Sequence, residues 1–422
     1  REATLLALLL ALTLVRGMIY GALVLPWQAA DEPYHILSAL SLLARESSDP
    51  TSEWYQMQAE VTASLIQHRW WDFVVFVPAV RTAEEIRRNL PNGLDKPDLI
   101  TPRAFTYAGL AQALRLVQHQ DIDLQLYWTR FLSTLLNLGI VSIAFAIGQL
   151  LFRTESFSAW LMPLIIVFMP ANTFMMATAN DGNPTELLVS VAILFLVWGL
   201  IKGMHWYHVL GIAVFTVLAV MAKPTSYFFV PVAIAVVLIW GWKKLPKWGK
   251  IGALPLILSC GYIIWATSAR LQFYVHTLLG IWGGSQVNTF LSDLQTLPLE
   301  RDILWVIGRL WADLGWHTLV VSDNWAIAFT TLTLFAVAGL IRFIWHSRRH
   351  RTDSAPSVLI LRVAAVFAIC VVSNLFVISI ASAYYGVSYF TTRYMLGAVL
   401  PITGLLVIGW RELLPPAWRQ EG

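Results

Sequence analysis

Long apolar runs separated by short polar stretches dominate this chain. Runs of spanning length, about 17–25 residues, occur at ten places: Thr4–Leu25, Leu126–Phe152, Phe157–Met176, Pro184–Ile201, Trp206–Ala222, Thr225–Trp242, Gly249–Ala269, Asn324–Trp345, Ser357–Ala381 and Met395–Leu414. Each predicts a membrane-crossing helix, because a helix satisfies its own backbone groups inside hydrocarbon. Lys223-Pro224 is a very tight connection, so the fifth and sixth runs could instead form one broken helix.

Two longer polar segments interrupt the pattern, residues 26–125 and 270–323. Within the first, Pro33–Leu43 places Ile36, Leu40 and Leu43 on one helical face. Phe105–Val117 does the same with Leu110, Leu114 and Val117. Such amphipathic helices are expected to lie at the membrane interface. The second segment holds a turn at Gly283-Gly284 and an amphipathic stretch, Ile303–Leu314. The 20 tryptophans fall mostly near the ends of apolar runs, as interfacial belts require. Trp70-Trp71 and Trp316 lie in the long segments, where they could stack on a sugar or a lipid, but belt duty is the preferred reading.

Composition agrees with the pattern. Of 422 residues 57% are hydrophobic and 13% charged, against roughly 25% charged in soluble domains. The expected fold is an all-α polytopic membrane protein, one integral domain over residues 1–422. Cys260 and Cys370 both fall in apolar runs and read as small buried hydrophobes. Thr4–Leu25 is too long for a signal-peptide core and lacks a small-residue cleavage site, so it is taken as a span. Arg16 within it is expected to snorkel or to pair with a neighbouring helix.

The net charge of +4 matters less than its distribution. Alternate short loops carry Arg153; Lys202; Lys243, Lys244, Lys247 and Lys250; and Arg342, Arg348, Arg349 and Arg351. The opposite short loops carry only Lys223 and Arg393. By the positive-inside rule the basic set is cytoplasmic. Asp31, Asn180-Asp181, Lys223 and Arg393 then share the outer face of a plasma (inner) membrane. No soluble catalytic domain or nucleotide-phosphate loop is recognisable, which argues against a cytoplasmic nucleotide-sugar donor, and no nucleic-acid partner is expected.

Candidate chemistry concentrates on that face. Asp31-Glu32-Pro33-Tyr34-His35 follows the first run directly. Asp31 could simply cap a helix with Pro33 in its first turn. Capping does not explain Glu32 and His35, which share a helical face at this spacing; ionisable groups at such a place usually have a function. Asn180-Asp181-Gly182-Asn183-Pro184 taken alone is an ideal turn. Lys223 and the stretch Tyr389–Tyr394 taken alone are an interfacial lysine and an aromatic belt with one arginine. Together they put two cations and several carboxylates on one membrane face, each at a helix end. Carboxylates beside cations there suit group transfer from a lipid-linked phosphate. A carboxylate takes the proton of an incoming hydroxyl, and Lys or Arg holds the phosphate that leaves.

The Asp-Glu-Pro-x-His box after the first span resembles the first outer loop of GT-C glycosyltransferases, in particular bacterial members related to protein mannosyltransferases and aminoarabinose transferases. Asn180-Asp181, Lys223-Pro224 and Thr392-Arg393-Tyr394 follow in the same order, and Gly308–Trp316 resembles a segment seen before a late span. The resemblance covers most of the chain in layout, through short motifs. It implies a GT-C-like bundle, a polyprenyl-phosphate sugar donor, and a cell-envelope glycan, lipid or protein acceptor. It also implies Asp31 as base with Glu32 supporting it, and Arg393 and Lys223 on the donor phosphate. His35, Asp181, Asn180 and Tyr394 would support them. Some relatives use a divalent metal; Asp31, Glu32, His35 and Asp181 could supply ligands, although no spacing demands one. Relatives carry a Pro-Pro-Leu-Tyr-Tyr-like box before the second span; here Lys96-Pro97-Asp98 and Thr101–Tyr107 stand in its place. That departure favours an alternative, a non-catalytic subunit with the same fold. A further alternative is a lipid-linked-sugar transporter, which would need ionisable groups deep in the spans; Arg16 is the clearest, and no inverted repeat is visible.

Overall fold

A computed structural model describes residues 2–72, 104–153, 155–243, 245–267, 310–314, 319–320, 322–349, 356–385 and 391–415. The described residues are almost entirely helical, with one two-residue antiparallel pairing of Asp313–Leu314 with Leu319–Val320. Among the described residues seven helices are long and apolar enough to cross a membrane, or eight if one bent pair is a single span. The protein is an all-α polytopic membrane protein. Large apolar side chains such as Leu8, Leu23, Ile341 and Val372 stand exposed on these helices, as lipid contact requires.

Helix α1 (Glu2–Leu23) leads into α2 (Glu32–Ala44), α3 (Pro50–Gln67) and α4 (Ala104–Arg115). The helices α5 (Ile122–Leu151), α6 (Ser156–Phe168), α7 (Pro170–Met176), α8 (Gly182–Lys202) and α9 (Trp206–Ala222) follow. After a 3-10 turn at Pro224–Phe228 come α10 (Phe229–Val236), α11 (Lys247–Thr267), α12 (Asp323–Arg349), α13 (Pro356–Tyr385), α14 (Thr392–Met395) and α15 (Val399–Leu413). The main core runs through the bundle, from Ile140 and Ile147 on α5 to Met162 and Ile166 on α6, Leu196 on α8, Phe367 on α13 and Val407 on α15.

The expected ten spans resolve unevenly. α9 has 17 residues, fewer than any of the seven helices long enough to cross a membrane. Lys223 at its end is extended, as a residue before proline tends to be, and α9 and the Pro224–Gly241 span are separate. Val209, Thr216, Val230 and Val237 line one apolar cleft between them, with Gly261 of α11. The two therefore form a hairpin whose turn is Lys223-Pro224. The expected span Phe157–Met176 bends by 60° between α6 and α7, where Met169 is extended ahead of Pro170.

The amphipathic faces of the first long segment are occupied by each other. Ile36, Leu37 and Leu40 of α2, Trp54, Val61 and Leu65 of α3, Leu114 of α4 and Leu126 of α5 form a second core, separate from the main one. These helices thus build a cap with its own interior, rather than offering those faces to an interface as the sequence suggested. Asp49 and Asp121 cap α3 and α5 by accepting from the backbone N–H groups of Ser52 and Leu124. The Thr106 hydroxyl of α4 donates to the Ala222 carbonyl, docking the cap on the α9 end of the hairpin.

Small residues set one helix crossing. A Cβ on Gly339 of α12 would overlap the Gly409 carbonyl of α15, and one on Gly409 would overlap that of Ala336. Such close backbone approach is how helices associate in lipid. Arg16 meets the rings of Tyr20 and Phe168, at 5.8 and 5.2 Å, the contact with a neighbouring helix expected of it. Cys370 is a buried free thiol. Lys96-Pro97-Asp98, Thr101–Arg103, Gly283-Gly284, Trp316 and most of the 270–323 segment lie outside the described residues.

Candidate functional site

Four sequence-distant segments meet where α1 leads into α2, α8 begins, α9 ends and α14 begins. Glu155 and Arg411 pair at the opposite end, between the loop after α5 and the last turn of α15. Asp31 immediately precedes α2 but does not cap it: its backbone is left-handed (φ 65°, ψ 5°) and its side chain makes no cap hydrogen bond. The carboxylate instead accepts from Arg393 Nη1 at 2.7 Å. Arg393 also donates to the Tyr394 hydroxyl at 3.0 Å, and the Tyr394 carbonyl is anchored by Asn374 of α13.

A second pair lies deeper. Lys223, the residue after α9, donates to Asp181 Oδ1 at 2.7 Å and reaches Asn180 Oδ1 at 3.5 Å. The Asn180 side chain accepts from the Gly182 N–H at 2.6 Å, closing the turn into α8. Glycine matters at 182, because a Cβ there would lie 2.8 Å from Asn180 Oδ1 and 3.4 Å from Lys223 Nζ. Tyr394 joins the two pairs: Lys223 Nζ is 5.8 Å and Arg393 Cζ 4.8 Å from its ring centroid, within cation–π range. His35 Nε2 is 3.8 Å from Asp181 Oδ1, and His35 Nδ1 is 3.0 Å from the Tyr107 hydroxyl.

The pairs differ in exposure. Asp181 and Lys223 are 2% and 15% exposed, Asp31 and Arg393 38% and 24%. Asp31 and Arg393 form the mouth of the cluster and Lys223 with Asp181 its floor. Burial pushes the Asp31 carboxyl up, but Arg393, His35 and Lys223 outweigh it and hold it below its ordinary value of 3.8.

Glu32, adjacent to Asp31, faces the other way. It is fully buried and accepts from Arg130 Nε at 2.9 Å and Nη2 at 2.7 Å, and from the Ala179 N–H at 3.0 Å. Arg130 also donates to the carbonyls of Gly21, Val24 and Leu25. This bidentate pair ties the end of α1, the start of α2, α5 and the turn before α8 to one another. It fixes the loops that carry Asp31 and Asp181.

Arg130 went unremarked in the sequence because it lies inside an apolar run, although that position was itself the signal. Glu186 is another such residue. It sits in the first turns of α8, 4% exposed, with Oε2 lacking a hydrogen-bond partner. Tyr107, noted only as part of an altered box, contributes the hydroxyl beside His35.

The metal set does not assemble. Among the described residues no three His, Cys, Asp or Glu side chains converge to hold an ion. Asp31 and Glu32 are committed to different arginines, so the suggested Asp31, Glu32 and His35 set is abandoned. Compared with known proteins, the chain matches no family model, no curated protein and no solved structure.

Proposed function

We propose that this protein is a GT-C-type glycosyltransferase, moving a sugar from a polyprenyl-phosphate carrier to an acceptor hydroxyl at the outer face of the plasma membrane. One observation carries the reading: Lys223 and Arg393, each beside a carboxylate, converge on Tyr394 at one end of a bundle of apolar helices. A lipid-linked phosphate suits that position, since its chain stays in hydrocarbon while its phosphate needs cations at the boundary. The basic loops at the other helix ends support the outer-face assignment.

In this reading Asp31 takes the proton of the acceptor hydroxyl. The acceptor oxygen bonds to the anomeric carbon as the bond from that carbon to the phosphate oxygen breaks. The bonding pair leaves on the phosphate, whose negative charge grows from one to two, and Lys223 and Arg393 stabilise that growth. The cationic character developing on the sugar is favoured by the Asp31 carboxylate. The proton leaves Asp31 for the released polyprenyl phosphate or for solvent. Glu32 positions the site through Arg130. Asp181, Asn180 and His35 set the place of Lys223, and Tyr394 holds the two cations together.

A photoreactive polyprenyl phosphate should label the protein in nanodiscs. Undecaprenyl phosphate should compete and undecaprenol should not, and Lys223→Ala with Arg393→Ala should abolish labelling. Equal competition by the alcohol overturns the site assignment. With envelope extract as acceptor source, the wild type should release undecaprenyl phosphate from its hexose-linked form and Asp31→Asn should not. Each cation is already neutralised by a carboxylate, as a non-catalytic subunit would also allow; phosphate-dependent labelling without turnover by the wild type would favour that alternative.

A further inference from the structure

Both cations of the cluster are occupied by the protein's own carboxylates. Asp31 lies 2.7 Å from Arg393 and Asp181 lies 2.7 Å from Lys223. A phosphate ester reaching either cation must take over hydrogen bonds now made to a carboxylate, because both acids accept directly from the groups that would bind it.

Resting on the reading of this cluster as a lipid-phosphate site, we infer that Asp31 and Asp181 are latches, displaced from Arg393 and Lys223 by the incoming phosphate, and that release of Asp31 from Arg393 makes it an effective base. A carboxylate held by a guanidinium is a poor proton acceptor, since protonation forfeits a charge-assisted hydrogen bond. Once the guanidinium turns to a phosphate, the freed carboxylate lies beside an anion and gains basicity. Acceptor deprotonation therefore follows donor binding, and the empty enzyme does not hold an activated base.

The two latches differ in what becomes of the displaced acid. Asp31 is 38% exposed, so water can solvate it after Arg393 leaves. Asp181 is buried, but His35 Nε2 stands 3.8 Å from the Oδ1 atom that Lys223 now holds. His35 is fixed by the Tyr107 hydroxyl on its other ring nitrogen and can close on Asp181 as Lys223 moves. This gives His35 a role as a positioning residue that catches the inner carboxylate.

The affinity of the full chain for undecaprenyl phosphate in nanodiscs tests the inference. Asp31→Asn should bind about 3- to 10-fold more tightly than wild type while losing turnover, the range expected for removing a partly exposed competing ion pair. Asp181→Asn should also tighten binding. The gain from Asp31→Asn should disappear in an Arg393→Ala background, and that from Asp181→Asn in a Lys223→Ala background, because each latch acts through its own cation. A purely structural role for either acid predicts weaker binding. Apparent melting temperatures identify any variant that fails to fold, and the other cycle then decides. No gain from either substitution, or an equal gain when the paired cation is absent, overturns the latch while leaving the lipid-phosphate site standing. Absence of undecaprenyl phosphate binding by wild type overturns the site and the latch together.

Discussion

Asp31 and Glu32 are neighbours in sequence and should separate cleanly on substitution. Glu32 is fully buried, and Arg130 donates five hydrogen bonds, two of them to Glu32 and three to carbonyls at the end of α1. Glu32→Gln keeps the side-chain volume but turns one acceptor oxygen into a donor. That amide faces the guanidinium or the Ala179 N–H, and Arg130 keeps a charge with no counter-ion in a place that water does not reach. Removing one partner of a buried pair costs about 3–5 kcal/mol. Asp31→Asn removes a pair at the mouth of the cluster, which is worth about 1 kcal/mol or less. Unfolding by steric trapping in bicelles, with turnover normalised to folded protein, reads both effects. Glu32→Gln should lose most of that 3–5 kcal/mol while turnover per folded molecule falls less than about tenfold. Asp31→Asn should stay near wild-type stability while turnover falls about 10²–10⁴-fold, the usual contribution of a general base. A stable but inactive Glu32→Gln, beside an active Asp31→Asn, would exchange the roles assigned here.

Three further outcomes are expected. Gly409→Val should lower the apparent melting temperature, because a Cβ there overlaps the Ala336 carbonyl and prising α12 from α15 costs about 1–3 kcal/mol or more; Gly252→Ala, with open space around its Cβ, should change little. Leu65→Ala should cost about 2–5 kcal/mol, and because Leu65 belongs to the cap core alone, limited proteolysis should cut within the cap before the spans. The Asp31 carboxyl is held below 3.8 in the folded protein, so its pair with Arg393 contributes fully above that value and is lost only as pH falls through the lowered one. The melting-temperature difference between wild type and Asp31→Asn should therefore be flat from about pH 8 to pH 5 and shrink only below about pH 4.

The sequence revealed most where a residue broke its surroundings. Asp31, Asp181, Lys223 and Arg393 stood out as charges at the ends of apolar runs, and the structure places them in two ion pairs around one tyrosine. Their pairing was not legible, because it depends on how α8, α9 and α14 pack. Arg130 was masked by its apolar run; its neighbours are lipid-compatible, while its own side chain turns to Glu32 over 98 positions of sequence. Hydropathy gave the length of Phe157–Met176 but not its bend, although a proline at 170 was a local sign of one. The cap was misplaced for a related reason. An amphipathic face shows that something apolar must cover it, but not whether lipid or another helix does.

The division of labour between Asp31 and Glu32 comes down to one backbone angle. An aspartate in the ordinary extended conformation at a helix N-cap accepts from the backbone N–H groups of the first turn. At φ 65° Asp31 forgoes that bond, and the left-handed conformation itself costs about 1–3 kcal/mol in most residues, although Asp and Asn tolerate it better than others. In return the two consecutive acids point to different arginines, Glu32 inward to Arg130 and Asp31 outward to Arg393. A cap alone would require neither the strained angle nor the exposed carboxylate. Trp27 and Arg69 share a left-handed angle, so the angle by itself marks no function; on the proposed reading it aims the Asp31 carboxylate at Arg393. It also makes asparagine the informative substitution at position 31, because it removes the charge while keeping a residue that accepts the angle. Alanine would merge loss of the proposed base with relaxation of the turn.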